Sequence, residues 1–140
     1  MSNISIELLE APLEIQTCLD FVQDPTVGGI DIFVGTVRNH TSGKQVEKLH
    51  FESYAPMAIK EMQKIAEAAC EKWPLKSALI HHRVGTLDIG EIPVIIATSS
   101  AHRVAAFESC QYIIDTLKET VPIWKKEFFE NGEIWVAAHP

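Results

Sequence analysis

The chain predicts an α+β domain of mostly antiparallel strands, with two long helices and one short N-terminal helix. Three observations carry that expectation. Segments rich in β-branched and aromatic residues cluster in pairs and do not alternate strictly with helical segments. Long apolar repeats at helical spacing occupy only two stretches, Pro56 to Trp73 and about Ala101 to Glu119. The connections are short, which favours antiparallel neighbours. At 140 residues, 46% of them hydrophobic, the chain has the size and composition of a single core, so residues 1–140 are expected to form one domain.

Taken in order, Ser5 to Leu8 reads as a strand, and Pro12 suits a helix start followed by Ile15, Cys18, Leu19 and Val22. Asp24 to Gly29 is a turn. Gly29 to Val37 reads as a strand that delivers Arg38 to its end, and Gly35 permits a bulge or a close backbone approach. The polar loop Arg38 to Gly43 then leads into a strand at Val46 to Tyr54, expected to pair antiparallel with the preceding one as a hairpin with a basic mouth. In the first long helix, Ile59, Met62, Ile65, Ala66, Ala69 and Trp73 form one apolar stripe, and Pro74 ends it. Ser77 to Val84 is a strand, GTLDIGE a glycine-bounded turn, and Ile92 to Thr98 a strand whose Pro93 belongs at its beginning or an edge. Ser99 or Ser100 offers an N-cap for the second long helix, with Phe107, Cys110, Ile114 and Leu117 on one face. Pro122 lacks a backbone N–H and breaks that helix. Beyond it, Ile123 to Phe129 and Glu133 to Ala138 flank Asn131-Gly132, a strong hairpin signal. Six or seven strands are expected in all.

Lysine and arginine number 12 against 19 acids, a net charge of −7, which argues against broad nucleic-acid or anionic-membrane binding. Any anion site must be local. No stretch approaches the roughly 18 apolar residues of a membrane helix, and no basic region leads into a long apolar run, so a cytoplasmic protein is expected. Cys18, Cys70 and Cys110 are far apart and outside any zinc spacing, and they are expected to be buried free thiols. His81 and Arg83 alternate with His82 across a strand, so these three make a poor metal set, and no metal or cofactor is expected.

The candidate chemistry lies in basic residues. LKETVPIWKKE places Lys118 at the end of one element and Lys125 and Lys126 at the start of another, with Pro122 between them. Lys118 borders the apolar stripe, where partial desolvation would lower its pKa and prepare a neutral amine as base or nucleophile. His102 and Arg103 stand in the first turn of the second long helix, where cations oppose the helix dipole unless an anion offsets them. With Arg38, these groups converge in principle on a pocket for an anionic substrate.

Five co-linear segments, FVGTVRNH (33–40), LHFESYAPMA (49–58), HHRVGTLDIGE (81–91), SSAHRVAAFE (99–108) and LKETVPIWKKE (117–127), closely resemble the MoaE family, the large catalytic subunits of molybdopterin synthase. The match runs from about Gly29 to Val136. It implies an α/β-hammerhead type of α+β fold and a homodimer of large subunits. It also implies a small ubiquitin-like sulfur carrier of the MoaD type docking on each, to make a heterotetramer. The carrier's C-terminal Gly-Gly tail, as a thiocarboxylate, would supply the two sulfurs that turn cyclic pyranopterin monophosphate into the dithiolene of molybdopterin. Lys118 and Lys125 match catalytic positions. Thr36, Val37, Arg38, Lys125, Lys126 and Glu127 match substrate-binding positions, and His102 and Arg103 match a pair that reaches in from the other subunit. Thr36 stands where many relatives have a second basic residue, and His139 where they have an arginine near the terminus.

Overall fold

The computed structural model describes residues 2–130 and 132–136. Among them run nine strands and three helices: β1 (Asn3–Leu9), α1 (Ile15–Val22), β2 (Gly29–Gly35), β3 (His40–Thr41), β4 (Lys44–Ser53), α2 (Ala55–Lys72), β5 (Leu75–Arg83), β6 (Gly85–Asp88), β7 (Val94–Ser100), α3 (Arg103–Thr120), β8 (Ile123–Phe129) and β9 (Gly132–Val136). No helix among the described residues is long and apolar enough to cross a membrane.

The strands form two sheets. The first has the order β1-β5-β7-β2, in which only β1 and β5 run parallel. Both faces of its centre are covered, so β5 is buried from Ser77 to His82, with the apolar run Ala78-Leu79-Ile80 at its middle. Alternation sorts its side chains: Ala78 and Ile80 join the core under α2 and α3, with Met62, Ile65, Cys110 and Ile113, while Leu79 joins Cys18 and Val22 of α1 on the other face. The second sheet has the order β3-β4-β8-β9, with β6 pairing to β4, and it turns Phe51, Leu87 and Ile123 onto the larger core. A mostly antiparallel α+β domain with two long helices and a short first one is what the sequence predicts.

Several local expectations are corrected. The segment carrying Arg38 and the one following it do not form a hairpin: β2 pairs with β7 in the first sheet, while β4 pairs with β8 in the second. The hairpin lies one step later, where β3 pairs with β4 across Ser42-Gly43. Both turn residues have positive φ, 51° and 79°, as the tight primed turns of two-residue hairpins demand. GTLDIGE holds the short strand β6 before its turn. Ser99 and Ser100 remain in β7, so the cap of α3 falls on His102, which makes no side-chain cap bond. Phe107 and Ile59 are exposed; Ala106, Ser109 and Ile113 take the buried places beside Cys110 and Leu117 on α3. Pro12 precedes α1 by three residues and does not start it. Cys18 and Cys110 are buried and Cys70 is half-buried, all as free thiols. The β8–β9 hairpin forms, whereas Ala138 and His139 lie outside the described residues.

Candidate active site

Arg38 owes its position to the backbone on either side of Val37. The Val37 N–H donates to the Glu91 carbonyl at 2.9 Å, and the Val37 carbonyl accepts from Gly90 N–H at 2.8 Å. That loop is itself tied down, since Glu91 Oε1 meets Arg83 at 3.2 Å and Oε2 accepts the Asp88 N–H at 2.6 Å. The Val37 side chain is in the core. Val37 is thus an anchor, and Arg38 is the exposed residue it presents.

Lys118 lies in the last turn of α3, where its charge complements the C-terminal carbonyls of the helix. Pro122 stops the helix, Ile123 begins β8, and the strand carries Lys125 and Glu127 back past the helix end. Strand alternation puts these two on the inner face of the second sheet, opposite Phe51 and Leu49 of β4.

These residues line a cavity of about 610 Å³. Arg38, Lys44, Lys118 and Lys125 give it four cations, and Glu127 gives it one carboxylate. Thr36, Thr41 and Ser42 add hydroxyls, and Leu49 and Phe129 an apolar wall. A protein of net charge −7 therefore concentrates positive charge in one concave place, as a local anion site requires. A side chamber of about 140 Å³ adjoins it, sharing Thr36, Leu49, Lys118 and Lys125 and otherwise walled largely by apolar groups such as Phe33, Phe51 and Leu117, with His82 among them.

Inside the cavity the desolvated amine is that of Lys125. Burial pushes its pKa down, and the nearby charges of Lys118 and Arg38 push the same way; Glu127, with Oε1 3.7 Å from Nζ, opposes them. Lys118 is exposed, so the desolvation expected of it falls instead on its neighbour. Glu127 is 3% exposed, and its Oε2 has no hydrogen-bond partner. A buried acceptor left open in this way is costly unless a ligand or solvent fills it.

Three expected members stand elsewhere within the chain. Lys126 alternates onto the outer face of β8, opposite His50, with Nζ 5.7 Å from the Phe128 ring centre. His102 and Arg103 are exposed at the start of α3, while Lys118 is near its end, and an 18-residue helix is about 27 Å long. That start is packed tightly on β2: a Cβ on Gly29 would come 2.8 Å from Arg103 Cα. Sequence reasoning missed Lys44 and the hydroxyls of the β3–β4 turn, although the polar loop 38–43 was the available signal. It set His82 on the face opposite His81 and Arg83 without a role, and the structure puts that face toward Ile114 and Leu117 of α3. Among the described residues no three His, Cys, Asp or Glu side chains come together as a metal site.

Comparison with known proteins adds an independent line. The family model described as MoaE protein matches residues 8–120. A molybdopterin synthase catalytic subunit from Bacillus subtilis is 45% identical over 93% of this chain and 83% of its own length. The crystal structure of molybdopterin synthase from Staphylococcus aureus superposes with a TM-score of 0.89 at 39% identity, over 94% of this chain and 96% of that one. A complex of subunits 1 and 2 of molybdopterin-converting factor from Helicobacter pylori shares the fold at 21% identity and a TM-score of 0.77, over 94% of this chain and 89% of that one.

Proposed function

This chain belongs to the MoaE family and carries the catalytic function of molybdopterin synthase, and from that premise we propose that the cavity between Arg38, Lys118 and Lys125 is where sulfur reaches the pterin. The observation that carries the reading is the pairing of a desolvated Lys125 amine with three further cations in one concavity. Cyclic pyranopterin monophosphate is an anion that gains exposed charge as its phosphate ring opens. Arg38 and Lys44 hold that charge, as preorganised cations can.

The sulfur comes from outside the chain. None of the three cysteines lines the cavity, and burial pushes all three thiols up, Cys110 to about 12, so none offers a ready thiolate. A small ubiquitin-like carrier of the MoaD type, ending in a Gly-Gly thiocarboxylate, supplies it. The thiocarboxylate sulfur attacks a side-chain carbon that bears the cyclic phosphate; the carbon–oxygen bond breaks, the phosphate leaves that carbon as an anionic ester still tethered through its other oxygen, and a thioester joins carrier to substrate. Water then cleaves the acyl–sulfur bond, leaving sulfur on the pterin and releasing the carrier as a carboxylate. Lys118 assists the attack, and Lys125, able to exist as a free amine, takes a proton from the hydrolytic water. A second carrier delivers sulfur in the same way to the adjacent oxygen-bearing carbon, whose oxygen leaves as water, and hydrolysis of that second thioester completes the dithiolene.

His102 and Arg103 serve a cavity in a second copy of the chain, within a homodimer that binds two carriers as a heterotetramer. Support for that assembly comes from Val104 and Phe107 of α3, 58% and 56% exposed, and from Phe33 on β2, an edge strand of the first sheet. Thr36 and Glu127 bind substrate from the cavity wall, and Lys126 contributes charge from the outer face. A cytoplasmic setting suits the three free thiols.

The test is turnover in vitro with thiocarboxylated carrier and cyclic precursor. Product is expected from the unaltered chain, with a loss of about a hundredfold or more for Lys118→Ala. Near-normal conversion by a folded Lys118→Ala chain would remove the role assigned to Lys118.

A further inference from the structure

The two compartments differ in what they can admit. The larger cavity has a volume ordinary for a small-molecule site and is cationic. The side chamber, at about 140 Å³, holds the volume of about five water molecules and is walled mainly by apolar groups. That volume is far below the larger cavity's, and a glycine segment, having no side chains, is the least bulky stretch of chain that could enter it. Lys118 and Lys125 line both spaces.

His82 is the one ring in the chamber wall with polar atoms. Its Nδ1 is 2.8 Å from the Arg83 carbonyl oxygen, which can only accept, so Nδ1 carries the proton. The ring meets Phe51 edge-on, with centroids 5.5 Å apart, and is fixed between that contact and the carbonyl. A neutral ring so held leaves Nε2 as a bare acceptor, and Nε2 has no hydrogen-bond partner among the described residues. Burial keeps the ring neutral, pushing its pKa down to about 4. Neutrality matters in this place because a further cation would compete with Lys118 and Lys125 for the carrier's thiocarboxylate.

Resting on the function proposed above, we infer that His82 is a positioning residue: its Nε2 accepts a backbone N–H from the carrier's tail in the side chamber and so sets the terminal sulfur against Lys118 and Lys125. The amide N–H is the donor that any extended tail must bring, and apart from the Thr36 hydroxyl, which the chamber shares with the larger cavity, His82 is the acceptor side chain in the chamber wall. The thiocarboxylate itself cannot serve as donor to Nε2, since it carries no proton at neutral pH.

Two substitutions separate this role from a structural one. Asn at position 82 can keep the donor to the Arg83 carbonyl but loses the acceptor at the Nε2 position; Gln can place an oxygen near that position and gives up the inner donor. His82→Asn is expected to raise the KM for thiocarboxylated carrier by about fivefold to tenfold, leaving the KM for the cyclic precursor unchanged, and His82→Gln to recover most of the loss. The reverse order, with the loss following Tm, or no loss in either variant, overturns the inference. Independently, ¹⁵N NMR of the unaltered chain should show the His82 Nε2 resonance moving when carrier ending in Gly-Gly carboxylate is added, and an unmoved resonance overturns it too. Absence of dithiolene product from the unaltered chain would instead defeat the function proposed above, and the resonance would still decide the role of His82.

Discussion

Lys125 Nζ lies 3.7 Å from Glu127 Oε1, and the second oxygen of the same carboxylate has no partner. One carboxylate thus holds the most desolvated amine of the cavity while keeping an acceptor open beside it. Among the described residues the carboxylate is the charge that favours the protonated amine against burial, Lys118 and Arg38.

Glu127→Gln removes that opposition, so the Lys125 pKa should fall further. If Lys125 works as a free amine, the rate rises with pH as it loses its proton. The acid limb of the pH–rate profile for dithiolene formation should therefore move to lower pH in the variant. A limb that stays in place, or moves up, would detach the limb from Lys125.

His82 makes stability depend on pH in a defined window. Its folded pKa is about 4 against 6.5 for the unfolded chain, so between these values the unfolded state binds more protons. The contribution is fully present above pH 6.5 and is lost as the pH falls toward 4, by about 3 kcal/mol in total. His81, also lowered by burial, acts in the same direction. Denaturant titrations of His82→Phe at a series of pH values should show a shallower decline over that window than the unaltered chain; equal slopes would contradict the burial of a neutral ring.

The cysteines should separate by burial. Cys18 and Cys110 are 0% and 2% exposed, whereas Cys70 is half-buried, although its thiol too is raised by burial. Slow alkylation confined to Cys70 is expected of the native protein at neutral pH, with all three sites modified only after unfolding. Peptide mass spectrometry reads this directly, and rapid labelling of Cys110 without unfolding would contradict the packing described.

Gly29→Ala introduces a Cβ 2.8 Å from Arg103 Cα and 3.0 Å from its nitrogen. Both are backbone atoms and neither can rotate away. A loss of about 1 to 3 kcal/mol is expected, measured as a lower midpoint in urea, together with displacement of His102 and Arg103. If those residues serve a neighbouring copy, precursor affinity should weaken as well.

The fold was legible where pattern and period are local. The α2 stripe, the break at Pro122 and the Asn131-Gly132 hairpin all followed from spacing and backbone chemistry. The partner of β2 did not, because pairing depends on which strand lies across the core, and nothing in Gly29 to Val37 distinguishes Val46 to Tyr54 from Val94 to Ser100. The site divides similarly. Lys118 and Lys125 were found through the proline between them, and Arg38 through its place at a strand end. The exchange of environments between the two lysines could not be read, since burial at position 125 depends on β4 and on the end of α3. Lys126 was grouped with the cavity by its place beside Lys125 and by the resemblance, whereas strand alternation puts it on the outer face of β8.

Among the described residues the only parallel pairing joins β1 to β5, aligning Asn3 with Ser77. During synthesis the first strand therefore emerges well before its neighbour exists, and α1, β2 and the whole of α2 intervene. The β5–β7 pair closes over a much shorter loop and can form without it. Addition of β1 is then expected late in folding, on a sheet already assembled from its other members. Until then a strand with several apolar side chains stays unpaired, and it is there that chaperones or self-association would first compete with the native structure.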